Sequence, residues 1–212
     1  MRNKVAVSTY SFSNILYSEK MPDLKSLFQT IHDLGLDGVE IVAFNITDQA
    51  AHSPMGPRDP DKSPDPLLPD GTSVTPGETP IHKMDPEKMK ALLEQMSRVG
   101  RTRPSSIPKI KELLERYNLE VCNMPVDFGD IGNPNQEERM ADLEMMKMWI
   151  DIAAELGSPS VRINSGHINY DDNGQLDFSI CIDSYQKLAE YGAQKNVVIT
   201  MENHGGATRQ PE

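Results

Sequence analysis

The stretch VVITMENHGG, residues 197–206, ends an apolar run in three polar side chains that could do chemistry. Glu202, Asn203 and His204 supply an acid, an amide and an imidazole, and a Gly-Gly pair then breaks the chain. A carboxylate is costly to bury without a partner. Two partners would compensate Glu202: a divalent cation, which takes oxygen ligands, or the guanidinium of Arg162 on a neighbouring strand. The pattern of residues leaves both open.

Polar and apolar side chains also alternate in two earlier segments, DGVEIVAF (37–44) and SVRINSG (160–166). Successive side chains of a strand point to opposite faces, so each segment has one apolar face and one polar or small face. Glu40 and Arg162 are the charged residues of these polar faces, and His167 follows the later segment. The polar groups therefore gather towards the carboxyl ends of the predicted strands.

The elements that carry these residues alternate between short strands and helices. The predicted strands are residues 4–10, 37–44, 119–126, 160–166 and 196–203, and the predicted helices are residues 23–35, 85–99, 106–118, 135–157 and 178–195. Such alternation is typical of βαβ units around a parallel sheet. An open doubly wound sheet would be apolar on both faces, whereas a barrel packs one face on helices and turns the other inward. The pattern favours an α/β fold of the (β/α)8 TIM-barrel type, incomplete here with about five βα units.

The third predicted strand is ambiguous, because either Cys122 or Asn123 could belong to its polar face. Asp127 and Asp130, in the stretch PVDFGD that ends this strand, are interpreted as turn and capping residues. No GxGxxG motif follows the first strand, which excludes the simplest dinucleotide-binding interpretation.

A proline-rich stretch interrupts the alternation. Residues 53–80 hold eight of the sixteen prolines, so we predict a long loop within an insertion at about 45–104 of a single domain, residues 1–212. Because the insertion follows the second strand, it belongs to the catalytic face of a barrel. A loop that overhangs the pocket and a surface insertion without a role are both open.

Composition excludes several classes of protein. The formal net charge of −11 and the pI near 4.9 argue against a nucleic-acid partner, because phosphates are bound through Lys and Arg. No stretch approaches 18 apolar residues, and the N-terminus lacks the apolar region of a signal peptide. The two cysteines have no CxxC spacing and are interpreted as reduced thiols. We therefore expect a cytoplasmic protein that does not engage a membrane.

The stretches LGLDGVEI, LGSPSVRINSG and VVITMENHGG, in this order and at these distances, resemble the xylose isomerase-like TIM-barrel superfamily, and within it the sugar phosphate isomerase/epimerase group. The resemblance implies a metal-dependent isomerase or epimerase. Its substrate would be a small carbohydrate: a sugar, a sugar phosphate or a related keto-polyol. The reaction would proceed by proton transfer next to a carbonyl.

The resemblance also implies roles for individual residues. Glu202 would be the catalytic residue and a ligand of a divalent ion such as Mn, Mg, Co or Zn. The remaining metal ligands would come from later strands that this sequence does not contain. The residues implied to line the substrate pocket are Glu40, Arg162, His167, Asn203 and His204.

Three other functions compete with this interpretation. A lyase resembling inosose dehydratases would use a similar site. An endonuclease of the same superfamily is disfavoured by the negative charge. A non-catalytic fragment or binding module is also open, because five strands cannot close an eight-stranded barrel. From the size of the fold we expect a parent chain of about 280–300 residues that is an enzyme, and an inactive 212-residue piece.

Overall fold

The computed structural model describes residues 3–13, 15–48 and 99–203 of the chain. Residues 85–98 of the predicted helix 85–99, the proline-rich stretch and His204 lie outside the described residues. The strands are β1 (Ala6–Ser8), β2 (Gly38–Glu40), β3 (Glu120–Val126), β4 (Ser160–Asn164), β5 (Asn169–Tyr170), β6 (Leu176–Asp177) and β7 (Val198–Glu202). The helices are α1 (Leu24–Asp33), α2 (Ile107–Tyr117), α3 (Gln136–Glu155) and α4 (Ser179–Gln194), and short 3-10 helices span Thr9–Phe12 and Ala43–Ile46.

The main sheet has five strands in the order β1-β2-β3-β4-β7. β4 runs parallel to both β3 and β7. The strands β5 and β6 form a separate antiparallel pair within the connection that leads to α4. Helices alternate with the strands of the main sheet along the chain, so the α/β class predicted from the sequence is confirmed.

The chain divides into two compact units, which are described separately. The first comprises Met1–Val39 and Phe44–Leu119. In it α1 packs against α2, because both helices place apolar side chains at helical spacing on one face. The fully buried side chains of these two faces are Leu27, Phe28, Ile31, Ile107, Ile110 and Leu113.

The second unit comprises Glu40–Ala43 and Glu120–Glu212. Here α3 packs on β3 and β4, and α4 packs on α3 and β7. In β4, Val161 and Ile163 are buried while Arg162 and Asn164 are only half-buried, as the alternation of apolar and polar residues in the sequence predicts. Methionines 145 and 146 of α3 are buried, as expected for core packing.

Capping residues set several of the boundaries. The Asp23 carboxylate accepts a hydrogen bond from the Ser26 backbone N–H (2.7 Å), and the Asn135 side chain caps α3 in the same way. β1 is shorter than predicted, because the Ser8 side chain accepts from the Tyr10 N–H (3.3 Å) and starts a 3-10 helix. The proposed cap Ser106 instead donates its hydroxyl to the Ile46 carbonyl (3.0 Å).

The cysteines and the apolar character of the helices bear on two expectations from composition. Both cysteines, Cys122 and Cys181, are free thiols. Within the described ranges, no helix combines the length and the apolar character needed to cross a bilayer.

Tyr17, in the first unit, gives a prediction about stability at alkaline pH. Its hydroxyl donates to the Asn45 carbonyl (2.8 Å), and burial, with the negative charges of Asp23 and Asp48, raises the pKa of Tyr17 to about 12. The ordinary tyrosine pKa is about 10. The contribution to stability is therefore complete below pH of about 10, where both folded and unfolded states are protonated. It is lost between about pH 10 and 12, where only the unfolded state ionises.

We expect Tyr17→Phe to lower the free energy of unfolding by about 0.5–1.5 kcal/mol near neutral pH, because the hydrogen bond is lost. Between about pH 10 and 12 the variant should lose less additional stability than the original protein. Urea unfolding near neutral pH and again between about pH 10 and 12 measures both effects. Tyr10→Phe, at an exposed position, is the matched control. A parallel pH dependence in the original protein and Tyr17→Phe would contradict the assignment.

Candidate active site at the carboxyl ends of β3, β4 and β7

The register of the parallel strands brings polar side chains to one face of the sheet. Asn164 at the end of β4 lies opposite Glu202 at the end of β7. On the other side of β4, Arg162 lies opposite Pro125 of β3. Partners in a parallel pair share a face, so Asp127, two residues after Pro125, continues the polar face of β3.

Arg162 is the centre of this group. Its Nε lies 2.9 Å from Glu202 Oε2, and its Nη1 contacts Asp127 Oδ1 and donates to Asn164 Oδ1 (2.7 Å). Asn164 Nδ2 donates in turn to Asp127 Oδ1 (3.2 Å). The Arg162 side chain is only 14% exposed, whereas that of Glu202 is 44% exposed. One guanidinium thus holds two carboxylates from neighbouring strand ends, and Glu202 stays accessible to a small molecule.

Of the two candidate partners of Glu202, Arg162 is in direct contact with it. Among the described residues, no group of three or more His, Cys, Asp or Glu side chains could hold a metal ion. These residues therefore do not by themselves fit a divalent cation, and the metal expected from the family resemblance stays a prediction.

Asp127 belongs to the cluster around Arg162, a contact that the sequence interpretation missed. A turn or capping role was expected, but its carboxylate pairs with Arg162 and accepts from Asn164. Its neighbour in the same turn, Asp130, does have the expected role, because it accepts from the Gly132 N–H (3.1 Å). Asp127 would have been identified if the sequence had shown which residues of β3 form its polar face. The sequence left open whether Cys122 or Asn123 belongs to that face.

Glu40 lies on the same polar face, but beside the amino end of β4 and not beside its carboxyl end. Asn123 Nδ2 donates to Glu40 Oε2 (2.9 Å), and Ser160 Oγ donates to Asn123 Oδ1 (2.7 Å). These bonds show that Asn123, and not Cys122, carries the polar phase of β3. Ser160 precedes Asn164 by four residues, which is about 13 Å along a strand. Glu40 is therefore not part of the cluster around Arg162.

His167 lies in the loop after β4 and is held by Asp130. The Asp130 carboxylate accepts from the His167 backbone N–H (2.7 Å), and its second oxygen lies 3.9 Å from His167 Nδ1. Asn169 Nδ2 donates to the Gly132 carbonyl (2.8 Å), which ties the same two loops together. The imidazole is mostly exposed, so the loop presents it to solvent.

The last two predicted site residues follow β7. Asn203 is exposed at the end of the described chain. His204 lies outside the described residues, so its predicted role stays a prediction. Of the six residues predicted for the site, the structure thus places Arg162 and Glu202 in direct contact.

Two ionisable groups of the second unit, Tyr185 and Cys122, stay protonated at neutral pH. Burial raises the pKa of the Tyr185 hydroxyl, which donates to the Ile163 carbonyl (2.6 Å) behind Arg162. Burial, with the charge of Glu40, likewise raises the pKa of the Cys122 thiol. Neither group is therefore suited to act as a nucleophile or base at neutral pH.

Gly166 fixes the junction of the two loops. Its φ is +76°, a conformation that L residues rarely adopt. A Cβ at this position would lie 2.3 Å from Asp130 Oδ1 and 2.7 Å from the Gly132 backbone nitrogen. Gly174 has a similar φ of +74° but has no atom within 4 Å of the corresponding Cβ position.

We expect Gly166→Ala to lower the free energy of unfolding more than Gly174→Ala. Both substitutions incur about 1–2 kcal/mol for the left-handed backbone. The close approach at Gly166 should add a further 1–3 kcal/mol, roughly the cost of overpacking. Urea unfolding of the two variants measures the difference. Equal losses would show that the contact between the loops is not needed for stability.

Comparison with known proteins identifies the family. The family model described as xylose isomerase-like TIM barrel matches residues 84–212, more than half of the chain. No curated protein sequence matches the chain.

Solved structures of similar fold cover nearly the whole chain at low identity. A 3-keto-D-glucoside 4-epimerase from E. coli is 13% identical with a TM-score of 0.51, over 94% of this chain and 56% of that one. An L-ribulose 3-epimerase is 14% identical with a TM-score of 0.51, over 94% and 49% of the two chains.

A sugar phosphate isomerase/epimerase from Parabacteroides distasonis is 12% identical with a TM-score of 0.51, over 99% of this chain and 56% of that one. The chain therefore spans about half the length of these proteins, and at such identities the likeness shows the fold alone. Together with the family model it shows that the chain belongs to the xylose isomerase-like TIM-barrel family.

Proposed function

We propose that this protein takes part in the isomerisation or epimerisation of a small carbohydrate by proton transfer next to a carbonyl. The observation that carries the proposal is the pairing of Glu202 with Arg162 at the carboxyl ends of parallel strands. In TIM barrels this edge carries the catalytic residues. Membership of a family whose structural neighbours include sugar epimerases supports the same reaction class.

Glu202 is the residue proposed to move the proton. Its carboxylate ends β7, so the strand fixes the position of its backbone. Nearly half of the side chain is exposed, which leaves room for the contact of about 3 Å that a general base needs with its proton. Arg162 holds one carboxylate oxygen, Oε2, at 2.9 Å and thereby orients the group.

Arg162 is the proposed electrostatic partner of the reaction. Its contacts with Asp127 and Asn164 fix the plane of the guanidinium before a substrate binds. A guanidinium has five N–H donors, and the hydrogen bonds found among the described residues use Nε and Nη1. The Nη2 donors would bind the substrate oxygen on which negative charge develops.

In the proposed reaction Glu202 removes a proton and Arg162 stabilises the resulting anion. The proton on the carbon next to the carbonyl passes to a Glu202 oxygen, and the electron pair of the broken C–H bond forms the C=C bond of an enediolate. The former carbonyl oxygen takes up the negative charge and is stabilised by Arg162. Delivery of a proton to the opposite face of the same carbon, by water or a second acid on that face, gives the epimer. Return of the proton to the former carbonyl carbon gives the isomer, with the hydroxyl proton passing to the former carbonyl oxygen.

Metal dependence is a separate prediction. Glu202 would be one ligand of the divalent cation, and a bound cation would polarise the carbonyl oxygen. The described residues do not supply a complete set of ligands, so no step above depends on it.

Deuterium exchange tests the proposed reaction. The full-length protein is incubated in D₂O with neutral ketoses and with their phosphates, and proton NMR follows loss of the signal at the carbon next to the carbonyl. We expect exchange with at least one ketose of the panel, and loss of that exchange in Glu202→Gln. Absence of exchange throughout the panel would refute the proposal.

Loss of water is the second candidate reaction, because a structure of a probable dehydratase from Bacillus anthracis also shares the fold (12% identity, TM-score 0.50). It would begin with the same proton removal and continue with departure of a hydroxide from the next carbon. The same NMR experiment separates the two, because dehydration yields an unsaturated product.

A further inference from the structure

Arg162 and a divalent cation are rival partners of Glu202. Arg162 Nε lies 2.9 Å from Glu202 Oε2, whereas the family resemblance implies that the same carboxylate binds a divalent cation. Both partners are positively charged, and on one carboxylate they would lie within a few ångström of each other. They would repel strongly, because the Arg162 side chain is only 14% exposed to water. The contact in the structure and the implied cation therefore compete for one side chain.

Exposure and contacts show which member of the ion pair can move. Besides its contact with Glu202, the largely buried Arg162 contacts Asp127 through Nη1 and donates to Asn164 Oδ1 (2.7 Å). Glu202 ends β7, and its side chain is 44% exposed. Exposed side chains change rotamer within nanoseconds, whereas close packing holds buried ones in place. Glu202 is therefore the mobile member and Arg162 the fixed one.

Asp127 allows Arg162 to lose its contact with Glu202. A buried charge that is left without a partner is strongly destabilising. Here Asp127 pairs with the guanidinium, and Asn164 accepts from Nη1 while its own amide donates to Asp127 (3.2 Å). These contacts do not involve Glu202. Its departure therefore leaves Arg162 with one carboxylate and one amide oxygen.

We propose that Glu202 exchanges between two partners. It pairs with Arg162 when no cation is bound, and it leaves Arg162 when its carboxylate binds a divalent cation. Arg162 thus competes with the cation and lowers its apparent affinity. The inference goes beyond the proposed function, because it concerns how the site takes up a cation and no step of the proton transfer depends on it.

Nitrogen-15 NMR of the arginine Nε–H groups follows the exchange directly. The full-length protein is titrated with Mg²⁺ or Zn²⁺ alone, because the described residues do not by themselves fit a cation. At saturation we expect the Arg162 Nε–H signal to shift. Its hydrogen exchange with water should accelerate at least about tenfold, since a charge-assisted hydrogen bond is lost. Arg116, which pairs with Glu112 on α2, is the internal control and should not change.

Two Glu→Gln variants locate the cation. Glu202→Gln should lose the cation-induced change at Arg162, because the amide lacks the negative charge that a hard cation prefers. Glu190→Gln, at an exposed position on α4, should retain that change. Equal responses of the two variants would show that the cation binds elsewhere, and would overturn the exchange.

Arg162→Gln gives the sign of the effect on affinity. Removal of the competitor should tighten cation binding at least about tenfold in isothermal titration calorimetry. An arginine that orients a metal ligand would have the opposite effect, because loss of such a partner typically weakens metal binding roughly 10- to 100-fold. If Arg162→Gln does not fold, the NMR titration of the original protein still decides.

Each remaining outcome bears on a different claim. An unchanged Arg162 signal at cation saturation would overturn the exchange, even if Arg162→Gln binds the cation more tightly through reduced repulsion. Weaker binding by Arg162→Gln would overturn it as well. Absence of cation binding would overturn both the metal dependence and the exchange, and would leave the proton transfer to Glu202 standing. Absence of deuterium exchange with every ketose would refute the proposed function and leave the exchange of partners standing.

Discussion

Glu202→Gln is expected to lower the rate of deuterium exchange by about 10²- to 10⁴-fold, the usual contribution of a positioned acid or base. Glutamine has nearly the same shape as glutamate, and its side-chain oxygen can still accept from Arg162 Nε. The substitution therefore removes the proton acceptor while the geometry of the Arg162 cluster is largely retained. Because the side chain is 44% exposed, little loss of stability should accompany the loss of rate.

The measurement is the exchange rate at saturating ketose, with thermal unfolding recorded on the same samples. Glu190→Gln, at an exposed position on α4, is the matched control and should exchange at the original rate. Retention of more than about a tenth of the original rate by Glu202→Gln would show that another group moves the proton.

Trp149→Ala is expected to cause the largest loss of stability, about 3–5 kcal/mol. Trp149 is fully buried in α3, and its ring packs against that of Phe128 with centroids 5.4 Å apart. Phe128 directly follows Asp127, so the same contact supports one of the two carboxylates that hold Arg162. Truncation would leave a cavity between α3 and the end of β3 and should also weaken ligand binding.

Circular dichroism should follow the unfolding, because Trp149 is the one tryptophan of the chain and its fluorescence disappears with the substitution. Met140→Ala, at an exposed position on α3, is the control and should change stability by no more than about 0.5 kcal/mol. A loss for Trp149→Ala of less than about 1 kcal/mol would mean that α3 does not pack on β3 as described.

Periodicity determined much of the fold. The alternation of Val161 and Ile163 with Arg162 and Asn164 is a local property of the chain, and the structure has the apolar pair buried. Helical spacing likewise predicted α1, α2, α3 and α4 to within two residues at each end. These features follow from the sequence because burial of a regular apolar face needs no knowledge of its partner.

Short-range competition between backbone conformations was harder to predict. The first two strands end earlier than their alternation indicated, and 3-10 helices follow them. At β1 the cause is one hydrogen bond, from the Tyr10 N–H to the Ser8 side chain. Such bonds compete with a strand at small differences in free energy, so the pattern of apolar residues does not reveal the outcome.

The candidate site, like the fold, could be predicted only in part from the sequence. The sequence by itself determined that Glu202 and Arg162 lie on the polar faces of strands, and it gave Arg162 as one of two candidate partners of Glu202, the other being a divalent cation. Only the tertiary structure decided that they are paired, because the contact depends on the register between β4 and β7. The role of Asp127 needed the register of β3 as well, and Glu40 was separated from the cluster by its level along the strands. Register is set by packing across the whole sheet, so it cannot be predicted from the sequence of one strand alone.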